Sequence, residues 1–176
     1  RDELGAELVV FPELSVCGYP PEDLLLHAGL RHGVEKAVRE IRDEVSGIAI
    51  LVGYPEYDGE KLFNACAVFQ NGKAIAHYRK RRLPNYSVFD EKRYFISSDE
   101  SCVFSVNNVL VGICICEDIW QPQPMAEAKA EGAEVMLVLN ASPFHVGKYD
   151  ERLEVLKQRS RENDIPILYL NTVGGQ

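Results

Sequence analysis

Apolar runs of strand length recur along this chain, and two kinds of connection join them. The runs over residues 62–69 and 73–78 flank Gln70-Asn71-Gly72, and Asn-Gly between two apolar runs is the strongest short-range signal for a β-hairpin. Residues 102–106 and 109–116 predict a second hairpin. Other runs are joined by amphipathic segments. Strands connected partly by hairpins and partly by helices predict an α/β fold with a mixed sheet and helices packed on it.

The other elements follow from apolar periodicity. The remaining predicted strands are residues 7–11, 48–52, 134–139 and 165–170, and the predicted helices are residues 33–46, 125–131 and 151–164. Residues 20–32 predict a loop or a short helix, and residues 1–6 predict the last turn of a helix closed by Gly5. The pattern leaves the number of sheets open. Two sheets, each covered by helices on one face, could pack as an α-β-β-α sandwich.

The composition is that of a globular protein without a membrane segment. The 176 residues suffice for one domain with a proper core, and 46% of them are hydrophobic. No run approaches the roughly 20 apolar residues of a membrane span, and no secretory signal opens the chain, so we expect a cytoplasmic protein. The net charge of −8 argues against nucleic-acid or membrane-surface binding. The basic run Arg79–Arg82 is a local exception and keeps nucleic-acid binding as an alternative.

The five cysteines show no disulfide framework, and most are expected to be buried small hydrophobes. Cys114 and Cys116 lie two apart on a predicted strand and would therefore point to one face. No Cys-x-x-Cys pair or His-x-x-x-His accompanies them. We therefore predict no metal site.

Three residues able to carry chemistry each end an apolar segment: Glu13, Lys80 and Cys116. A thiol attacks an amide carbon well only as thiolate, so it needs a nearby base or positive charge. A desolvated carboxylate has a raised pKa that suits proton transfer, and a fixed lysine can stabilise an oxyanion. Each residue alone equally fits an ordinary loop carboxylate, edge lysine or buried thiol. Together they indicate nucleophilic acyl transfer.

The order of three local sequences strengthens this interpretation. Phe11-Pro12-Glu13, then Tyr78-Arg79-Lys80, then an apolar strand ending in Cys116-Glu117-Asp118 resembles the nitrilase superfamily of carbon–nitrogen hydrolases. The resemblance implies a nitrilase-like α-β-β-α sandwich, with mixed sheets and helices on the outer faces.

The resemblance also implies roles for five residues. The superfamily's Glu-Lys-Cys triad falls on Glu13 as general base, Lys80 as oxyanion stabiliser and Cys116 as nucleophile. The backbone N–H of Glu117 would complete the oxyanion hole. Glu91 matches a second glutamate that helps to hold the lysine and to position water.

Longer motifs narrow the resemblance to the amidase domains of the glutamine-dependent NAD(+) synthetase family. These motifs are residues 11–26, 83–95 and 115–120, with residues 140–144 and 171–176 extending the match over nearly the whole chain. The resemblance implies that residues 1–176 are an incomplete amidase (glutaminase) domain, lacking an opening strand and helix, its C-terminal end and a C-terminal NAD synthetase domain. L-glutamine would be hydrolysed here without a cofactor. The ammonia would amidate nicotinic acid adenine dinucleotide in the synthetase domain, with ATP and Mg, in a homo-oligomer.

The same resemblance matches Tyr86, Phe89, Ser142 and Lys148 with positions that contact the glutamine substrate. Each also fits an ordinary role, as loop-packing aromatics, a turn residue before a proline and a surface charge. A standalone amidase of the omega-amidase or carbamoylase type is the main alternative function. A non-catalytic interaction module is disfavoured because the glutamate, lysine and cysteine are all present.

Overall fold

Two four-stranded sheets form the framework of the computed structural model, which describes residues 3–173. The strands are β1 (Leu8–Val10), β2 (Ala49–Asp58), β3 (Lys61–Gln70), β4 (Lys73–Arg79), β5 (Val103–Val106), β6 (Val109–Ile115), β7 (Val135–Asn140) and β8 (Ile167–Asn171). The helices are α1 (Ala28–Glu44), α2 (Pro122–Ala130) and α3 (Lys148–Asn163). Strands β1 to β4 form sheet 1 and strands β5 to β8 form sheet 2, each in chain order.

Both sheets are mixed, as the connections predict. In sheet 1, β1 pairs in parallel with β2 across the α1 crossover, and β2, β3 and β4 form antiparallel hairpins. In sheet 2, β5 and β6 form the second predicted hairpin, and β6, β7 and β8 run in parallel. Asn71 and Gly72 have φ values of 50° and 77°, the left-handed conformation that a tight hairpin turn requires. The sequence therefore predicted both hairpins correctly.

The two sheets pack face to face, with helices outside. Side chains from both sheets meet in one core cluster, represented by Leu51 and Val68 from sheet 1 and Ile113 and Leu139 from sheet 2. Helix α1 covers the outer face of sheet 1. Helices α2 and α3 cover the outer face of sheet 2. The α-β-β-α sandwich is thus confirmed.

Helix α1 begins at Ala28 rather than at Gly33. A short 3-10 helix over Glu22–Leu26 precedes it, within the segment predicted as a loop or short helix. The first turn of α1 is mostly exposed, so its residues carry no apolar periodicity from which its start could be predicted. The predicted turn at residues 1–6 includes residues 1 and 2, which lie outside the described residues, as do residues 174–176 of the last motif.

Cys114 and Cys116 do not share a face of a strand, so that expectation was wrong. Strand β6 ends at Ile115, and Cys116 begins a 3-10 helix over Cys116–Trp120. Cys114 packs in the cluster between sheet 2 and its helices, whereas Cys116 packs between the sheets. Within residues 3–173, no helix is long and apolar enough to cross a lipid bilayer.

Gly53 on β2 allows the chain that follows β1 to lie directly against sheet 1. A Cβ atom at Gly53 would lie 2.5 Å from the carbonyl oxygen of Pro12 and 2.7 Å from the backbone nitrogen of Leu14. The Val16 N–H donates to the Gly53 carbonyl at 3.2 Å and holds the segment there. The position of Glu13 therefore depends on a residue without a side chain at position 53.

We expect Gly53→Ala to lower the free energy of unfolding by about 1–3 kcal/mol, because backbone atoms must move to accommodate the methyl group. Urea unfolding followed by circular dichroism measures this loss. Gly33→Ala is the matched control, since a Cβ in that turn of α1 meets nothing within 4 Å. That control should match the wild type or gain up to about 1 kcal/mol. Equal stability of Gly53→Ala and the wild type would contradict the steric argument.

Candidate active site

Cys116 lies where strand β6 gives way to a helical turn. Its φ of 47° is in the left-handed region, which is uncommon for a residue with a side chain. Cys116 is 5% exposed and packs into the core between the sheets. Strained backbone of this kind is concentrated at functional sites, and a nucleophile on a tight strand-to-helix turn recurs among hydrolases.

Lys80 is completely buried and contacts two buried carboxylates. Its Nζ lies 2.7 Å from Oε1 of Glu13 and 2.8 Å from Oε1 of Glu91. Glu13 follows β1, Lys80 follows β4, and Glu91 begins a short 3-10 helix in the loop after β4. Three separate segments therefore meet around one ammonium group, and the sequence-predicted pair Glu13 and Lys80 is brought together.

Further polar groups fix the orientation of these carboxylates. Asn64 donates from Nδ2 to Oε1 of Glu13 at 2.8 Å, and the backbone N–H of Ala141 donates to Oε2 of Glu13 at 3.1 Å. The Tyr19 hydroxyl donates to Oε1 of Glu91 at 2.8 Å. Sequence reasoning missed Asn64 and Tyr19. A polar residue in the middle of the apolar run over 62–69 is the signal that could have identified Asn64.

Burial and charge act together on the ionisable groups of the site. Burial alone would lower the pKa of Lys80, but the carboxylates of Glu13 and Glu91 outweigh it and hold this pKa well above its ordinary value. Burial also raises the pKa of Glu91, against the effect of the Lys80 ammonium. One cation shared by two buried carboxylates accounts for both shifts: the pKa of Lys80 is raised by two negative charges, and the pKa of Glu91 is raised because half of a cation does not offset its burial.

The Cys116 thiol is held in its protonated form. Burial raises its pKa well above the ordinary value, the Glu13 carboxylate adds to the rise, and the Lys80 ammonium opposes it. Attack on a carbonyl carbon therefore requires a base to remove the proton as the thiol reacts. Glu13 is the carboxylate with the strongest electrostatic effect on this thiol.

The predicted substrate-binding aromatics form a pair on the loop after β4. The rings of Tyr86 and Phe89 meet edge to face, with centroids 5.6 Å apart. The Tyr86 hydroxyl donates to Oε2 of Glu117 at 2.9 Å. Burial and this hydrogen bond raise the pKa of Tyr86 to about 12, so the hydroxyl remains a donor. The side chain of Glu117 thus contacts the aromatic pair, and its backbone N–H has the separate role predicted above.

The four predicted substrate residues do not line a single cavity. Phe89 and Ser142 line a cavity of about 630 Å³, which Tyr19 and Ala141 also reach. Tyr86 lines a separate open cleft of about 1020 Å³, together with Glu117. The cavity therefore adjoins groups that contact Glu13 and Glu91.

Ser142 and Lys148 are tied to other residues. The Ser142 hydroxyl accepts a hydrogen bond of 3.0 Å from the Arg152 guanidinium. Lys148 lines neither cavity, and its Nζ lies 4.2 Å from the ring centroid of Trp120, on the turn that Cys116 begins. Lys148 thus lies near the turn of the predicted nucleophile, and its Nζ also lies 3.5 Å from Oε2 of Glu151.

The basic run Arg79–Arg82 does not form one basic surface. Arg79 pairs with Glu56 at 2.7 Å, while Lys80 points into the core. The next two arginines contact side chains of α2. Within the part of the chain that the structure describes, no group of three or more His, Cys, Asp or Glu side chains is placed to hold a metal ion.

Comparison with known proteins identifies the family. The carbon-nitrogen hydrolase family profile matches residues 1–176. The chain belongs to the carbon–nitrogen hydrolases. The glutamine-dependent NAD(+) synthetase of Xanthomonas campestris pv. campestris is 48% identical over 178 residues, which cover 100% of this chain and 32% of that protein. The chain thus spans about a third of the length of such relatives.

Solved structures of carbon–nitrogen hydrolases share the fold. The glutamine-dependent NAD+ synthetase of Acinetobacter baumannii aligns with a TM-score of 0.94 at 38% identity, over 99% of this chain and 33% of its own. An amidase of Nesterenkonia sp. AN1 aligns with a TM-score of 0.86 at 26% identity, over 99% of this chain and 66% of its own. In that structure the acetamide moiety of fluoroacetamide is covalently added at the active-site cysteine. The predicted nitrilase-like fold is therefore confirmed for this carbon–nitrogen hydrolase.

We expect Lys80→Met to lower the free energy of unfolding by about 3–5 kcal/mol near pH 8, because two buried carboxylates lose their cation. With the ammonium gone, burial holds the folded-state pKa of Glu91 further above its unfolded value, so the penalty is present above that folded-state pKa and disappears as the pH falls. Urea unfolding between pH 5 and pH 8 should show the variant regaining stability toward the acid end.

The wild type should show only a weak dependence of this kind, because the Lys80 ammonium opposes the rise that burial causes in the pKa of Glu91. Lys80, whose own pKa is raised, stabilises the fold at every pH below its unfolded-state pKa and loses that effect only in alkali. The triple variant Glu13→Gln, Lys80→Met, Glu91→Gln is the matched control. It should be nearly independent of pH in the same range. A pH-independent deficit in Lys80→Met would contradict the assignment of two carboxylates to one ammonium.

Proposed function

We propose that residues 1–176 form a glutaminase domain, which hydrolyses the side-chain amide of L-glutamine. The ammonia would pass to a C-terminal synthetase domain that amidates nicotinic acid adenine dinucleotide to NAD with ATP and Mg. The observation that carries the amidase chemistry is the buried Lys80, which pairs with Glu13 and Glu91 and interacts electrostatically with the Cys116 thiol. The choice of glutamine is supported by relatives named as glutamine-dependent NAD(+) synthetases.

The first step transfers a proton and forms a bond. Glu13 takes the proton of the Cys116 thiol while the sulfur attacks the amide carbon, and the carbonyl electron pair moves to oxygen. The Lys80 ammonium and the Glu117 N–H would hold this oxyanion. General-base help contributes roughly a hundred- to ten-thousandfold in rate, and an oxyanion donor roughly a hundred- to a thousandfold.

The second step releases ammonia. The proton held by Glu13 passes to the amide nitrogen, the carbon–nitrogen bond breaks, and a γ-glutamyl thioester remains on Cys116. While Glu13 is protonated it no longer balances Lys80. Glu91, 2.8 Å from the same ammonium, keeps that charge compensated throughout.

Hydrolysis of the thioester completes the cycle. Glu13 takes a proton from water, the hydroxide adds to the thioester carbon, and glutamate leaves as the proton returns to the Cys116 sulfur. Oε2 of Glu91 is buried and accepts no hydrogen bond from the described residues, so it can accept one from this water. This arrangement fits the predicted role of Glu91 in positioning water.

The cavity between Phe89 and Ser142 suits the rest of the substrate. The Ser142 hydroxyl accepts from Arg152 and so can donate its own proton to an α-carboxylate. Phe89, with the Tyr86 ring packed against it, would form a wall of this cavity. Lys148 lies outside the lining of the cavity and would contribute its positive charge from a distance. We place the reaction in the cytoplasm, in a homo-oligomer, and the five unpaired thiols fit that reducing compartment.

A standalone amidase of the omega-amidase or carbamoylase type is the second candidate. The structural likeness to the Nesterenkonia amidase, which covers nearly the whole chain, favours it. A screen of glutamine against other ω-amides and carbamoyl compounds decides between the two. A strong preference for glutamine, with ammonia used for NAD formation by the full chain, supports the first function.

We expect Cys116→Ala to lower glutamine hydrolysis by at least about a thousandfold, because the nucleophile is lost. Coupled detection of glutamate measures this rate. Cys114→Ala is the matched control, because its thiol is buried two residues away and faces the outer core cluster. It should keep the rate within about threefold of wild type. Full glutaminase activity in Cys116→Ala would overturn the proposed function.

A further inference from the structure

Asp118 is a completely buried carboxylate that accepts four hydrogen bonds. Its Oδ1 accepts the backbone N–H groups of Arg81 at 3.1 Å and Arg82 at 2.7 Å. Its Oδ2 accepts the backbone N–H of Ile115 at 2.9 Å and the hydroxyl of Tyr78 at 2.8 Å. The two oxygens thus satisfy donors from two separate segments of the chain, one in each half of the sandwich.

These donors lie at the ends of the strands that carry Lys80 and Cys116. Strand β4 ends at Arg79, so the two N–H groups that follow Lys80 lie beyond the sheet ladder, and Asp118 accepts both. The N–H of Lys80 itself donates to the Asn64 carbonyl at 2.7 Å. The backbone on both sides of the Lys80 side chain is therefore fixed.

The same carboxylate closes the turn of the predicted nucleophile. Ile115 and Asp118 flank the left-handed Cys116 residue, and the hydrogen bond between them spans that turn. Burial raises the pKa of the Asp118 carboxyl, while the Ile115 N–H and the Lys80 ammonium oppose the rise. Asp118 is therefore electrostatically coupled to Lys80 as well as bonded to its neighbours.

We propose that Asp118 is a positioning residue that fixes the distance between the Lys80 ammonium and the Cys116 thiol by binding the backbone next to each. The proposal rests on the proposed function, in which these two groups act together. A carboxylate suits this task because it is an acceptor at both oxygens. An amide at position 118 would turn one acceptor into a donor and would oppose at least one of the backbone N–H groups.

The test is Asp118→Asn in the purified full chain, with two readouts. We expect kcat for glutamine hydrolysis to fall about tenfold to a hundredfold while KM stays within about twofold, because displacement of reacting groups by a fraction of their contact distance is costly in rate. We also expect a slower reaction of Cys116 with iodoacetamide, measured by mass spectrometry of the alkylated peptide.

Two further variants complete the design. Tyr78→Phe removes one donor to Asp118 and keeps the ring, and it should lower kcat and alkylation in the same direction by a smaller factor. Ile119→Val removes a methylene group from a buried neighbour on the same turn without touching the polar contacts. This control should keep both readouts within about twofold of wild type.

The proposal is overturned if folded Asp118→Asn keeps kcat and the alkylation rate within about twofold of wild type, or if only its KM changes. It is also overturned if Ile119→Val lowers kcat and the alkylation rate as much as Asp118→Asn does. Where Asp118→Asn does not fold, wild-type behaviour of Tyr78→Phe overturns it. A wild-type chain that does not hydrolyse glutamine refutes the proposed function instead, and the alkylation rates still decide the role of Asp118.

Discussion

The buried ammonium of Lys80 is the interaction on which the rest of the structure depends. A lone charge cannot remain in a protein interior, so the fold must supply opposite charges at hydrogen-bond distance. Glu13 and Glu91 do so from two segments that are far apart in sequence. The segment after β1, which lies against Gly53 of β2, places the Glu13 carboxylate at Lys80. The loop after β4 places the Glu91 carboxylate at the same ammonium.

The balance of charge around Lys80 also shapes the chemistry. Two carboxylates share one cation, so one of them can change its protonation state while the other keeps the ammonium compensated. The neighbouring thiol is protonated at rest because burial and the Glu13 carboxylate both disfavour its anion. In the proposed mechanism, the thiolate would therefore form only as the sulfur attacks a substrate carbon, which would limit side reactions of the thiol.

The sequence predicted the parts of this site that have local signals. Glu13 and Cys116 each follow an apolar strand, and Lys80 follows the second strand of a hairpin with an Asn-Gly turn, so pattern and motif both pointed to them. The contact of Asn64 with Glu13 and that of Asp118 with Tyr78 could not be predicted, because the partners lie 51 and 40 residues apart in the sequence. The start of α1 was missed because its first turn is exposed. The prediction that Cys114 and Cys116 share a face failed because the backbone leaves the strand and turns left-handed at Cys116.

The contribution of both sheets to the site has a consequence for folding. The half of the chain that ends with the loop after β4 supplies Glu13, Lys80 and Glu91, and the other half supplies Cys116 and the Ala141 N–H that orients Glu13. Neither half contains a complete set of reacting groups. In the proposed mechanism, the reactive centre therefore forms only when the two halves dock, and the Cys116 thiol of a nascent or partly unfolded chain would lack Glu13 as its base.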